Sequence, residues 1–320
     1  MNKINLFLLF SFFITISSQG QSFERILISE TDSSKLYVND GDSNELYYLQ
    51  FVPKTKIKGA IVVFPSGGET TEDLIKQIKI PQLASKKGII TIIPSINWGT
   101  ETRAIEIQLL NKIFKKAIDD HNIPKENFVL GGLSNGGMIS LTYAQQAVKE
   151  KGSTYILPKG IFGLDVPLDK AHFYSYCQRE IKRNFSQAGM NEAHWFMNNF
   201  NQIYGGSPQE YPERYVEASI YSYGAEDGGN AKFLKEMPIR MYTDLDVDWL
   251  TNQRRRDLYD WNGTDIVAMI NDLKLMGNED ANVLITMGKG VRLDGRKHPH
   301  SWSIMDNQDC FDWILKLFEK

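Results

Sequence analysis

Asn127-Phe128-Val129-Leu130-Gly131-Gly132-Leu133-Ser134-Asn135-Gly136-Gly137 is the stretch whose reading decides the fold. Its apolar start reads as a strand buried on both faces, as in a parallel sheet. From Ser134 the spacing predicts a helix to residue 148. Between strand and helix lies Gly132-Leu133-Ser134-Asn135-Gly136, a Gly-x-Ser-x-Gly pattern. The pattern alone is short enough to arise by chance; its position gives it meaning. A serine on so sharp a turn has a strained backbone and needs small neighbours. The turn lifts the hydroxyl clear of the sheet and sets it at a helix N-terminus, where developing negative charge is stabilised. Ser134 is therefore the candidate nucleophile. A phosphate cradle fails on detail, because no Gly-Lys-Ser/Thr follows Gly131 at the required offset.

The flanking chain alternates strands and helices. Strands are expected at 25–29 and 45–52, joined through the turn signal Asn39-Asp40-Gly41, and then at 59–64, 89–94, 127–130, 159–164, 238–242 and 282–286. Helices are expected at 71–87, 102–121, 134–148, 264–276 and 310–318. This order implies an α/β fold with a doubly wound, mostly parallel sheet and an antiparallel N-terminal edge. Residues 167–236 break the rhythm. They are rich in helix-compatible segments and aromatics and read as a cap-like insertion in a domain spanning 21–320.

A serine hydroxyl needs a general base, and histidine suits that task near neutral pH. There are five histidines. His300 is favoured because it lies between the last strand and the closing helix, as the chain order Ser, acid, His requires. His298 is the reserve. The acid should end a late strand and be buried enough to fix the histidine tautomer. Asp244, Asp246 and Asp248 alternate after the strand at 238–242; Asp246 is preferred, with Asp248 in reserve and Asp165, after the strand at 159–164, a further candidate. The acidic triplet is no calcium hand, because Trp249 and Arg255 stand where that loop needs glycine and glutamate. For an oxyanion hole, the amide of Asn135 and those of Gly67 and Gly68 are the expected donors. No metal or cofactor is called for.

The N-terminus starts with Lys3 and continues with an apolar run from Leu6 to Ile16, then Ser18-Gln19-Gly20. Residues 1–20 thus read as a signal peptide, too short to span a membrane, and the mature protein is expected to be secreted or periplasmic, without stable membrane association. A net charge of −3 on 320 residues gives no reason to expect nucleic acid as partner. Cys177 and Cys310 are the only cysteines; they can be paired or separately buried.

With these residues in place, 45–320 resembles the α/β-hydrolase superfamily. The likeness rests on Gly132-Leu133-Ser134-Asn135-Gly136, on Tyr242-Thr243-Asp244-Leu245-Asp246 where relatives often read His-Gly-x-x-Asp, and on His300-Ser301-Trp302. That last segment is similar to the His-x-Trp of secreted polyester depolymerases and of feruloyl and acetylxylan esterases. The resemblance implies a carboxylic-ester hydrolase working through an acyl-serine without cofactor, on a small-molecule, saccharide or polyester ester. A serine peptidase of the same fold and a non-catalytic exported binding protein are the alternatives.

Overall fold

Eight strands form a single sheet in the computed structural model, which describes residues 22–28, 46–96 and 104–319. They are β1 (Glu24–Ile28), β2 (Leu46–Phe51), β3 (Gly59–Phe64), β4 (Ile89–Pro94), β5 (Phe128–Leu133), β6 (Gly160–Leu164), β7 (Ile239–Asp244) and β8 (Ala281–Thr286). Their spatial order is β1-β2-β4-β3-β5-β6-β7-β8. The first two pairings, β1 with β2 and β2 with β4, are antiparallel, and all the others are parallel. The expected antiparallel edge is therefore present, and the expected signal peptide and the turn at 39–41 lie outside the described residues.

The sheet is sandwiched because its central strands have no polar face to give to water. Every residue of β3, β4 and β5 is buried. Alternate side chains feed two cores: Ala60, Val62 and Phe64 on one face, Ile61 and Val63 on the other. Each large aliphatic side chain withdrawn in this way contributes about 1.5–3 kcal/mol.

The helices are α1 (Thr71–Ile75), α2 (Ile80–Ser85), α3 (Ala104–His121), α4 (Asn135–Lys149), α5 (Lys170–Arg183), α6 (Gln187–Tyr204), α7 (Pro212–Ala218), α8 (Val247–Trp249), α9 (Asn262–Leu275) and α10 (Asn307–Glu319). The single helix expected at 71–87 is instead two. Pro81 enters the first turn of α2, where its missing N–H costs nothing but where it cannot extend a preceding helix. α8 runs on through a wider turn at Leu250–Arg254.

Between β6 and β7 the chain leaves the sheet and forms α5, α6 and α7. This segment has an aromatic core of its own, made by Tyr174, Phe200, Tyr204 and Tyr215. It is bound to the segment before α9 by buried ion pairs. Arg256 Nε donates to Glu180 at 2.8 Å, while Arg179 and Arg183 both reach Asp260 at 2.5 Å. Cys177 lies in α5 and Cys310 in α10; both are buried and unbridged. Among the described residues no helix is long and apolar enough to cross a membrane.

Candidate active site

β5 ends at Leu133, paired in register with Leu164 at the end of β6. The next residue on each strand is therefore a neighbour of the other across the sheet: Ser134 on β5, Asp165 on β6. Ser134 N donates to Leu164 O at 2.8 Å, and Asp165 N donates to Tyr242 O of β7 at 2.8 Å. Both residues have left-handed backbones, with φ 55° at Ser134 and φ 42° at Asp165. Such positions cost on the order of 1–3 kcal/mol each and persist only where the surroundings impose them.

At Ser134 the surroundings are glycines. A Cβ on Gly136 would lie 2.3 Å from Phe64 O, and one on Gly132 would lie 2.6 Å from the Gly136 carbonyl carbon. Only hydrogen fits there, so β5, the end of β3 and the first turn of α4 come together under the serine. α4 starts at Asn135 with Ser134 as its N-cap, which puts the serine at the positive end of a 15-residue helix.

His300 reaches this end of the sheet from the loop between β8 and α10. Its Nδ1 donates to Asp165 Oδ2 at 2.6 Å, and Asp165 is fully buried. Thr243 Oγ1 reaches the other carboxylate oxygen at 3.4 Å, and Asn262 Nδ2 donates to the Asp165 carbonyl at 2.9 Å. With Nδ1–H committed to the carboxylate, Nε2 is the basic nitrogen. Ser134 and His300 line the same cavity of about 390 Å³.

The preference for Asp246 as the histidine's partner is corrected by this geometry. Asp246 is the N-cap of α8 and accepts from Trp249 N at 2.9 Å. Asp248, the reserve, is exposed. Asp244 is buried but turned to the following loop, accepting from Thr286 Oγ1, Lys289 N and Gly290 N at 2.8, 3.2 and 2.9 Å. It thereby anchors the start of the segment that carries His300. The physical reason is distance across the sheet. β6 adjoins β5, whereas β7 is one strand further, about 4.8 Å more.

His298 also lines the cavity, but among the described residues it is hydrogen-bonded to no carboxylate. Its Nδ1 accepts the His300 backbone N–H at 3.1 Å. Burial and the charge of Arg292 push its imidazole down to about 3, so it is neutral. Of the expected oxyanion donors, Asn135 and Gly67 line the cavity and Gly68 does not. Gly68, at φ 72°, instead forms the corner of the turn closed by Glu69 N donating to Ser66 O at 3.0 Å.

Glu69, which sequence reading passed over, ties this turn to the histidine segment. Its carboxylate accepts from Ser66 N at 2.9 Å, Gln77 Nε2 at 2.5 Å and Trp302 Nε1 at 3.1 Å. Burial pushes the Glu69 carboxyl up, and these three donors oppose that shift. Trp302 itself is buried two residues beyond His300. The link of Glu69 to the histidine segment has no local sequence signal, because Trp302 is 233 residues away. The cavity wall opposite is aromatic, with Phe173, Phe196 and Phe200 in mutual contact at centroid distances of 4.8–6.2 Å. Among the described residues no group of three His, Cys, Asp or Glu side chains converges to hold a metal ion.

No family model matches the chain, and no curated protein sequence does. Solved structures do match across its length. MPT51 of Mycobacterium tuberculosis superimposes with a TM-score of 0.58 at 9% identity, covering 94% of this chain and 99% of that one. Carboxyl esterase 2 of Tuber melanosporum gives 0.54 at 12%, covering 95% and 87%. An S-formylglutathione hydrolase of Agrobacterium tumefaciens gives 0.52 at 11%, covering 93% and 94%. At such identities the likeness is one of fold: the chain has the α/β-hydrolase fold.

Proposed function

We propose that this protein is an exported serine hydrolase that cleaves carboxylic esters through an acyl-serine intermediate. The observation that carries the reading is the 2.6 Å bond from His300 Nδ1 to the buried Asp165, in a cavity shared with the strained Ser134. In the first half-reaction Ser134 Oγ attacks the ester carbonyl and its proton passes to His300 Nε2. The Asp165 carboxylate holds the ring in this tautomer and stabilises the imidazolium. The amides of Asn135 and Gly67 receive the oxyanion. Collapse expels the alcohol, which takes the proton from Nε2. Water then repeats the sequence on the acyl-serine, releasing the acid and restoring the hydroxyl.

The aromatic wall of Phe173, Phe196 and Phe200 favours an acyl, aromatic or sugar group over a bare small acid. A small-molecule, saccharide or polyester ester remains the proposed substrate range. A fluorophosphonate should label the protein and should not label Ser134→Ala. An unlabelled wild type, folded by circular dichroism, removes the nucleophile from this reading.

A further inference from the structure

The cavity mouth beside His300 carries a cluster of positive charge that the serine chemistry does not use. Arg254 comes from the turn after α8, and Arg292 from the loop between β8 and α10; both line the cavity. Trp249 brings them together. The Arg254 guanidinium lies 5.3 Å from the Trp249 ring centre, and His298 packs against the same ring at 4.5 Å. Trp249 Nε1 also donates to Lys297 O at 3.0 Å, which fixes the loop that holds Arg292.

Most of the nearby acids are committed elsewhere. Asp260 is taken by Arg179 and Arg183, and Glu180 by Arg256. Asp169 caps α5 and accepts from Ala171 N, His172 N and Tyr223 N. Asp294 is paired with Arg296. Glu192, exposed on α6, forms no ion pair with Arg254 or Arg292 among the described residues. Among the described residues neither guanidinium thus forms an ion pair with a carboxylate, although Glu192 lines the same cavity.

The hydrogen bonding of His298 points to the same place. The His300 backbone N–H can only donate and faces His298 Nδ1, which leaves the other ring nitrogen, Nε2, towards Arg292. Arg292 Nη2 lies 3.1 Å from that Nε2. A guanidinium too can only donate, so His298 meets a donor at each ring nitrogen and its neutral ring can accept from one of them. Partial desolvation and the charges of Arg254 and Arg296 push Arg292 below its ordinary value, against the opposing pull of Asp294 and Glu192.

We propose that the substrate is an ester bearing an anionic group, and that Arg254 and Arg292 hold that anion at the cavity mouth. The proposal rests on the serine-hydrolase reading of the same site and adds its substrate class. A carboxylate or other oxyanion there accepts from the guanidinium groups and neutralises the arginine pair. The anion can belong to the acyl part or to the alcohol part.

Two matched pairs of esters separate those sources. Mono-4-nitrophenyl glutarate against 4-nitrophenyl valerate places the charge on the acyl side. 4-Acetoxybenzoate against its methyl ester places it on the leaving group. In at least one pair the anionic ester should have the higher kcat/KM by about tenfold or more, mainly through KM, because charge-assisted hydrogen bonds are worth that much. Rising salt should erode the preference. Arg254→Ala combined with Arg292→Ala should bring the ratio to about one, and the two lysine replacements should retain part of it. Equal or lower kcat/KM for the anionic ester in both pairs overturns the proposal.

Binding to Ser134→Ala reads the anion site without turnover. By calorimetry, glutarate or 4-hydroxybenzoate should bind more tightly than its methyl ester, and the arginine double variant should lose at least about tenfold in affinity. No such difference overturns the anion site whether or not esters are cleaved. Binding with no hydrolysis of any ester keeps the anion site and overturns the hydrolase reading instead.

Discussion

Replacing Asp165 by asparagine isolates what the buried carboxylate does. At φ 42° an alanine would add left-handed strain of about 1–2 kcal/mol, whereas asparagine tolerates that region best among non-glycine residues. Asparagine also keeps the size of the side chain and an oxygen for Thr243 Oγ1. What it removes is the negative charge 2.6 Å from His300 Nδ1 and the certainty of the tautomer. If the asparagine amide donates to Nδ1, the proton moves to Nε2 and the base is lost. In a serine–histidine–aspartate arrangement that exchange lowers kcat about 10⁴-fold, or about 5.5 kcal/mol of transition-state stabilisation. Asp246→Ala is the paired control. It deletes the cap on Trp249 N and should lower stability by about 0.5–2 kcal/mol while leaving kcat within a few-fold. The assay is steady-state hydrolysis of a short-chain 4-nitrophenyl ester, or of the glutarate ester, with thermal unfolding of each variant alongside. An Asp165→Asn enzyme within tenfold of wild type, with Asp246→Ala inactive and still folded, refutes the assignment of the acid.

Three other outcomes follow from the same geometry. Glu69→Ala frees the Ser66–Glu69 turn from Trp302 and should lower kcat about 10- to 100-fold with little change in KM, since a misplacement of about 1 Å is enough; kinetics on the purified variant check this. Gly136→Ala drives a methyl to 2.3 Å from Phe64 O and should cost at least about 3 kcal/mol, measured by denaturant unfolding at matched m-values. His298 has a folded pKa of about 3, below its unfolded value of about 6.5. Its neutral form therefore favours the folded state fully above pH 6.5, and stability falls as the pH drops from 6.5 towards 3 because only the unfolded state gains the proton. Comparing the wild type with His298→Asn by thermal unfolding at pH 7 and pH 5 should show a smaller loss in the variant.

The sequence alone determined the parts of this protein that are written locally. A strand with no polar face, a run of small residues and a helix placed Ser134 at its turn, because each signal occupies consecutive residues. His300 was found from chain order, since its loop follows the last strand wherever the sheet puts it. The long helix at 71–87 divided at Pro81 for a reason equally local, and attention to that one residue would have found the break. The acid was different. Asp165 and Asp246 both follow strand ends, and nothing in either neighbourhood separates them. The choice depends on β6 lying beside β5 and on Leu133 standing in register with Leu164, facts of sheet order and pairing. The same holds for the approach of Glu69 to Trp302 and of Arg254 to Arg292, which are far apart in sequence. Backbone geometry and burial are encoded residue by residue; the approach of one charged side chain to another is settled only when the strands have been ordered and the loops closed over them.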